Sequence, residues 1–455
     1  MPQTGRCETG IEGFDEVTGG GFIEGSLNIL AGNPGTGKTI FAAQFVYHGA
    51  KNLGEPSIYM SFSENKRTFY RNAIALGMNF KDIEEKGLFK FIDAFTSISK
   101  EGSIELIEYA LELIASMKAK RLVIDSITPI IMLLSKEEAR ALYHNVISKA
   151  VKAFNTTTLL ILDIPLGKQG ISYGVEEFIA DSLITLEIQR VKDLMKRVMK
   201  IWKMRGVPIS NYEYEFVVTE HGVDLYTPIP QALAGSMGER KLTTGIPGLD
   251  EMFEGGINEK STTLVTGPSG TGKTRLSLTY VIEGVRQGEK ALYISNEESE
   301  DQLRFLIKSM GYNPKELEEK GLTLRSIAPM LYTPGQWFNI VKSLIKRVNP
   351  NRVVIDGLSA LERCYTKDDF LNLSRNISLL CKKLGVTLLM THIKDAWSGE
   401  ISDISTAVDN LIALWVDKRD GTLHRYITVL KSRGSQHHMD ARRMNIREGK
   451  IEIKR

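Results

Sequence analysis

Apolar residues occur along this chain in short, nearly unbroken runs. LNILAG (27–32), SIYMSF (57–62), FKFIDA (89–94), RLVIDS (121–126) and TTLLIL (157–162) lack the alternation of a half-solvated strand. Such runs suit strands buried on both faces of a parallel sheet. Between them the apolar spacing lengthens. Ile104, Ile107, Leu111 and Ile114 recur at helical intervals and predict a crossover helix. Strands alternating with helices predict βαβ units, hence an α/β fold with helices on both faces of the sheet. The pattern then changes: SLITLEIQ (182–189), RVMKIWKMR (197–205) and YEYEFVV (212–218) predict consecutive antiparallel strands that extend the sheet as hairpins.

The same succession occurs twice. TGIEGFDEVTGGGFIEGSLNILAGNPGTGKT opens one copy and TGIPGLDEMFEGGINEKSTTLVTGPSGTGKT opens the other. Thr9 matches Thr244 and Lys38 matches Lys273 at one shared offset. SIYMSFSE (57–64) matches ALYISNEE (291–298), RLVIDSI (121–127) matches RVVIDGL (352–358), and KMRG (203–206) matches KSRG (431–434). Ordered matches of this kind mark a domain duplication rather than a short-period array. Pro228, Pro230, Gly235 and Gly238 interrupt regular structure between the copies. The expected domains are 1–230 and 240–455.

Each copy carries a glycine-rich loop. The first reads Gly32, Asn33, Pro34, Gly35, Thr36, Gly37, Lys38, Thr39; the second reads Gly267, Pro268, Ser269, Gly270, Thr271, Gly272, Lys273, Thr274. Both fit G-x-x-x-x-G-K-[ST], in which backbone N–H groups cradle phosphates, the lysine reaches the β- and γ-phosphates and the hydroxyl binds Mg²⁺. Glycine is needed where the backbone must approach the phosphates closely. Each loop follows an apolar strand (LNILA, TTLVT) and opens a helical pattern (TIFAAQFVYHGA, TRLSLTYVIEGV). That strand–loop–helix context separates a phosphate loop from a glycine-rich turn. ATP and Mg²⁺ are therefore the expected cofactors.

Acids stand where such a site needs them. Asp125 and Asp356 end apolar strands and suit the metal-side carboxylate; capping of the following turn would use the same residue type. After the strand expected to neighbour the phosphate-loop strand the second copy reads Asn296-Glu297-Glu298 and the first Phe62-Ser63-Glu64. A carboxylate there, Glu297 in the leading position, can orient and deprotonate a nucleophile as the base, whereas the serine hydroxyl of Ser63 in that position is a poor base. Slower hydrolysis is expected of the first domain, with Glu64 compensating. Glu297 and Glu298 also suit the N-terminus of the following helix. Lys203 with Arg205, and Lys431 with Arg433, stand two apart in a strand and would share one face. They suit either a solvated strand face or cations offered to the γ-phosphate of a neighbouring subunit in a closed ring.

Bulk properties narrow the remaining classes. The 455 residues carry 58 Lys+Arg against 55 Asp+Glu, a formal charge of +3, which gives no strong electrostatic argument for nucleic acid or an anionic membrane. Cys7, Cys364 and Cys381 have no metal-ligand spacing and suit reduced thiols. No apolar h-region opens the chain and no run reaches a membrane span, so a cytoplasmic protein is expected.

Together these residues resemble the KaiC family of RecA-like ATPases, in particular its double-domain members. The resemblance rests on T-G-I-x-G-[FL]-D (Thr9–Asp15, Thr244–Asp250), both phosphate loops, the acidic pair, the strand-end aspartates and both K-x-R-G segments. GVEEFIAD (174–181) and DISTAVDN (403–410) are also similar. The resemblance implies two tandem RecA-like domains and a homo-hexameric double ring with ATP at subunit interfaces. It also implies a serine–threonine pair phosphorylated on a neighbour by the second domain. Ser405 and Thr406 occupy that place, while the first copy has Glu176 and Glu177 and offers no acceptor. Ser405 and Thr406 equally suit capping of the segment that follows. The family's clock member has a longer C-terminal tail bound by its regulator. This chain ends at IEIKR, so a circadian role is not expected to carry over. The implied function is an ATPase and serine/threonine autokinase in signalling or regulation, with a protein regulator or substrate as possible partner. A DNA-dependent RecA-like motor would need basic or aromatic loops at 165–174 and 394–403, each of which has one or two basic residues and one aromatic. A nucleotide-gated scaffold without catalysis is the other alternative.

Overall fold

A computed structural model describes residues 5–95, 99–166, 179–191, 193–209, 211–229, 235–395, 402–419, 421–447 and 449–454. The chain divides into two compact units, Met1–Thr227 and Pro228–Arg455.

The first unit is built on a sheet of nine described strands. In spatial order they are Gly222–Tyr226, Glu213–Thr219, Leu194–Met204, Ser182–Val191, Leu27–Gly32, Thr157–Asp163, Arg121–Asp125, Ser57–Ser61 and Phe89–Asp93. Ser182–Val191 and every strand after it in this order pair in parallel. Beyond Ser182–Val191 the pairing is antiparallel. The expected α/β architecture with late antiparallel strands is thus the observed one. The central parallel strands are buried on both faces, and alternate residues enter different cores. Leu27, Ile29 and Ala31 join one cluster, and Leu30 joins the other with Phe14, Phe22, Phe41 and Phe45. A strand whose two faces are both covered by helices is mostly apolar on both sides, with its few polar residues such as Asn28 hydrogen-bonded internally, which is why these runs do not alternate.

The second unit repeats the order. Leu322–Ser326, Ala291–Ser295, Arg352–Asp356, Thr387–His392, Thr262–Thr266, Asn410–Arg419, Thr422–Ser432, Arg442–Arg447 and Lys450–Lys454 form its sheet. Even an irregularity recurs. The register shifts between Leu183 and Ile184 in the first sheet and between Leu411 and Ile412 in the second.

The shared opening motif has a structural task. The Asp15 carboxylate accepts from the Thr9 hydroxyl (2.6 Å) and from the N–H groups of Thr9 and Gly10 (2.9 Å each). Asp250 does the same for Thr244. A buried arginine ties each motif to its sheet. Arg121 donates to Glu8 O and pairs with Glu55, and Arg352 donates to Thr243 O and pairs with Glu289. No helix among the described residues is long and apolar enough to cross a membrane.

Candidate functional site

The centre of each sheet places the glycine-rich loop beside the strand-end acids. In the first domain Leu27–Gly32 delivers the loop, and the helix Lys38–Asn52 begins at Gly37, whose φ of 108° puts it in the left-handed region that glycine tolerates. Gly272 holds the same place, at 105°, before the helix Lys273–Arg286. Gly32 and Gly267 pass against the carbonyls of Leu186 and Leu414, where an added Cβ would collide. Gly35 and Gly270 also have positive φ. Both helices therefore start with N–H groups open toward the loop, the arrangement that favours an anion.

The lysines are buried and point back over their loops. Lys38 Nζ donates to Gly32 O (2.8 Å) and Asn33 O (3.0 Å), and Lys273 Nζ to Gly267 O (2.7 Å) and Pro268 O (2.8 Å). Burial lowers the pKa of Lys273 from its ordinary value, opposed by the charges of Asp356 and Glu297. Thr36 and Thr271 brace the loops internally, their hydroxyls donating to Asn33 O and Pro268 O. Pro34 and Ser269 occupy the intervening loop positions.

Beside each lysine a threonine and an aspartate are brought together. Thr39 Oγ1 donates to Asp125 Oδ2 at 2.8 Å, and Thr274 Oγ1 to Asp356 Oδ2 at 3.0 Å. The sequence reading missed the group that fixes these aspartates. Tyr59 OH donates to Asp125 Oδ2 (2.6 Å) and Tyr293 OH to Asp356 Oδ2 (2.7 Å). A buried tyrosine in the matched strands SIYMS and ALYIS was the available signal. Asp356 also accepts from Thr391 Oγ1, whereas Asp125 sits near Asp163. Burial raises the Asp125 pKa, against the lowering effect of Tyr59 and Thr39. A hydroxyl and a carboxylate oxygen are hard donors of the kind Mg²⁺ takes, with substrate phosphates completing its shell.

Glu64 and the pair Glu297–Glu298 follow Ser57–Ser61 and Ala291–Ser295, strands that adjoin the aspartate strands and not, as expected, the phosphate-loop strands. Glu298 is half-buried, and its Oε2 is buried without a hydrogen-bond partner among the described residues. Burial raises its pKa, helped by the negative charges of Asp356 and Glu297. Such an orphaned oxygen near Asp356 fits a site that takes a further ligand. Glu297 is exposed and pairs with Arg363 at 2.7 Å. In the first domain Ser63 is exposed, while Glu64 is half-buried and accepts from Asn72 Nδ2 at 3.2 Å. Burial and the Asp125 charge raise the Glu64 pKa as well.

The K-x-R-G cations do not share one strand face. The strands end at Met204 and Ser432, and Arg205 and Arg433 lie in the following turns, where Gly206 and Gly434 have positive φ. Arg205 pairs with Asp181 at 3.1 Å, and burial lowers the Lys203 pKa. In the second domain both cations hold the turn that carries the hydroxyl pair. Lys431 Nζ donates to Ser405 O (2.6 Å) and Val408 O (2.8 Å), and Arg433 to Thr406 O (3.2 Å). Ser405 ends the short helix Ser402–Ser405, and the exposed Thr406 hydroxyl donates to Asp403 O at 2.9 Å. Glu176 and Glu177, and most of 165–174 and 394–403, lie outside the described residues.

A family model described as "ATPase: KaiC" matches residues 7–229 and again 242–455. The chain belongs to the KaiC family. Its two domains are KaiC-family ATPase domains, each with the loop, lysine, threonine and aspartate described above. Among its KaiC relatives is the circadian clock oscillator protein KaiC of Rippkaea orientalis, 32% identical over 97% of this chain and 87% of that one. Those of Picosynechococcus sp. (31%, 99% of this chain, 89% of that one) and Thermostichus vulcanus (32%, 99% and 89%) are similar over comparable lengths.

Proposed function

We propose that the chain is a Mg²⁺-dependent ATPase with one nucleotide site in each of the domains 1–230 and 240–455, and that the second domain is also a serine/threonine autokinase. The observation that carries this reading is the doubled constellation of lysine, threonine, aspartate and tyrosine at the mouth of a phosphate loop. The loop N–H groups and Lys38 or Lys273 bind and orient the triphosphate. Thr39 with Asp125, and Thr274 with Asp356, would hold Mg²⁺, which supplies charge neutralisation of the β- and γ-phosphate oxygens when bound.

Glu298 is favoured as the base because its free oxygen is buried beside Asp356, while Glu297 is held by Arg363. In hydrolysis water attacks the γ-phosphorus, its proton passes to the carboxylate and the bond to the bridging oxygen breaks, releasing ADP. In the kinase reaction the hydroxyl of Ser405 or Thr406 replaces the water. The first domain keeps a carboxylate at the base position, Glu64, but Asn72 engages it at 3.2 Å and Ser63 supplies no second acid, so that domain hydrolyses more slowly.

Self-assembly into a hexameric ring completes the sites. Lys203, Arg205, Lys431 and Arg433 then face the γ-phosphate of the next subunit. Because Lys431 and Arg433 also grip the Ser405–Thr406 turn, they carry the acceptor toward that phosphate. The setting is cytoplasmic and the output regulatory.

The test is incubation with γ-labelled ATP and Mg²⁺, followed by peptide mapping. Label on Ser405 or Thr406, lost in Lys273→Ala, supports the autokinase. Free phosphate alone leaves a plain ATPase, and neither product overturns the enzymatic reading.

A further inference from the structure

The two candidate sites differ at one position directly against the loop lysine. In the first domain the strand Thr157–Asp163 ends on a carboxylate, which pairs in register with Gly32 at the mouth of the loop. Asp163 Oδ1 lies 3.1 Å from Lys38 Nζ. Its Oδ2 accepts from Ser126 Oγ at 2.5 Å, and its N–H donates to Thr128 Oγ1 at 2.7 Å. The carboxylate is thus held in place by residues that follow Asp125. In the second domain Thr266 pairs with His392, so the residue level with Gly267 is Ile393. Lys273 there donates to its two loop carbonyls, and the side chain at the matching position is apolar.

The charge of a phosphate-loop lysine serves the β- and γ-phosphates. A carboxylate at ion-pair distance takes a share of that charge. It also stands within a few ångströms of the incoming triphosphate, and like charges at that range oppose binding. Both effects are stronger in the first domain, because among the described residues no carboxylate lies at ion-pair distance from Lys273, which feels only the more distant charges of Asp356 and Glu297. We propose that Asp163 sets the nucleotide affinity of the first domain: as a counter-charge on Lys38 it weakens Mg²⁺–ATP binding there and shortens nucleotide residence relative to the second domain. This rests on the reading that both loops bind ATP. The Asp163 side chain is 43% exposed, so water screens part of the effect.

The test measures Mg²⁺–ATP binding by calorimetry in the full chain carrying Lys273→Ala, which leaves only the first loop competent. Adding Asp163→Asn keeps the shape and an acceptor for Ser126 while removing the charge. The expected result is about tenfold tighter binding, about 1.4 kcal/mol, with a slower nucleotide off-rate. The reciprocal variant, Ile393→Asp in a Lys38→Ala chain, should weaken ATP binding at the second loop by a similar factor, and it decides the matter if Asp163→Asn does not fold. An unchanged or larger Kd in Asp163→Asn overturns the proposal. So does a fall in kcat at constant Kd, which would make Asp163 a water-orienting group. If the Lys273→Ala parent takes up no Mg²⁺–ATP, the assignment of the first loop itself fails, and this inference with it.

Discussion

Replacing Glu298 by glutamine tests the division of labour within the acidic pair. The substitution keeps size and hydrogen-bonding capacity but removes the proton acceptor. A positioned general base is worth about 10²–10⁴-fold in rate. Its neighbour is poorly placed to substitute, because Glu297 is exposed and engaged with Arg363 at 2.7 Å. At least the lower bound should therefore appear, a loss of roughly 100-fold, or about 2.7 kcal/mol of barrier. Binding should behave differently. Glu298 lies among the like charges of Asp356 and Glu297, so neutralising it leaves the Kd for Mg²⁺–ATP unchanged or slightly lower. The assay is steady-state phosphate release by the Lys38→Ala chain, with and without Glu298→Gln, alongside nucleotide titration. Glu297→Gln should cost less. Turnover of Glu298→Gln within threefold of its parent, or a larger loss in Glu297→Gln, would refute the assignment.

Three further outcomes follow from the geometry. Arg352→Leu leaves the Glu289 carboxylate without its buried partner and two carbonyls without their donor. Breaking one side of such a pair costs about 3–5 kcal/mol, to be read as a lower denaturant midpoint for the second domain; a shift under about 1 kcal/mol would contradict it. Tyr293→Phe removes a 2.7 Å hydrogen bond to Asp356, worth about 1.5–3 kcal/mol to a charged acceptor, and should lower turnover more than ATP affinity; equal turnover would show that Tyr293 does not fix the aspartate. Burial pushes the thiols of Cys7 and Cys381 up to about 11 and about 12. A thiol reagent at pH 8 should therefore modify half-buried Cys364 in the native protein and reach the other two only after unfolding; native labelling of Cys381 would show that its core opens.

Much of the fold could be read from residues alone, because a doubly covered parallel strand leaves an unmistakable apolar run and the runs occur twice in one order. Lys38, Thr39, Asp125 and their copies were legible for the same reason: backbone approach to phosphate admits few residue types. What escaped depends on tertiary placement. Tyr59 and Tyr293 read as core aromatics until the neighbouring strand brings an aspartate to their hydroxyls. The K-x-R-G spacing suggested two cations on one strand face. A glycine turn places Arg205 and Arg433 beyond the strand instead, and Lys431 closes on a turn more than twenty residues earlier in the chain. Asp163 ends an apolar strand much as Asp125 does, but its copy is Ile393, so a search for repeated residues passes over it.

The most direct measurement is the number of nucleotides held per chain. Equilibrium titration with Mg²⁺–ATP should find two sites in the wild type, one in Lys38→Ala, one in Lys273→Ala and none in the double variant. A single site in the wild type, or two sites that survive both lysine substitutions, would contradict a pair of phosphate-loop sites.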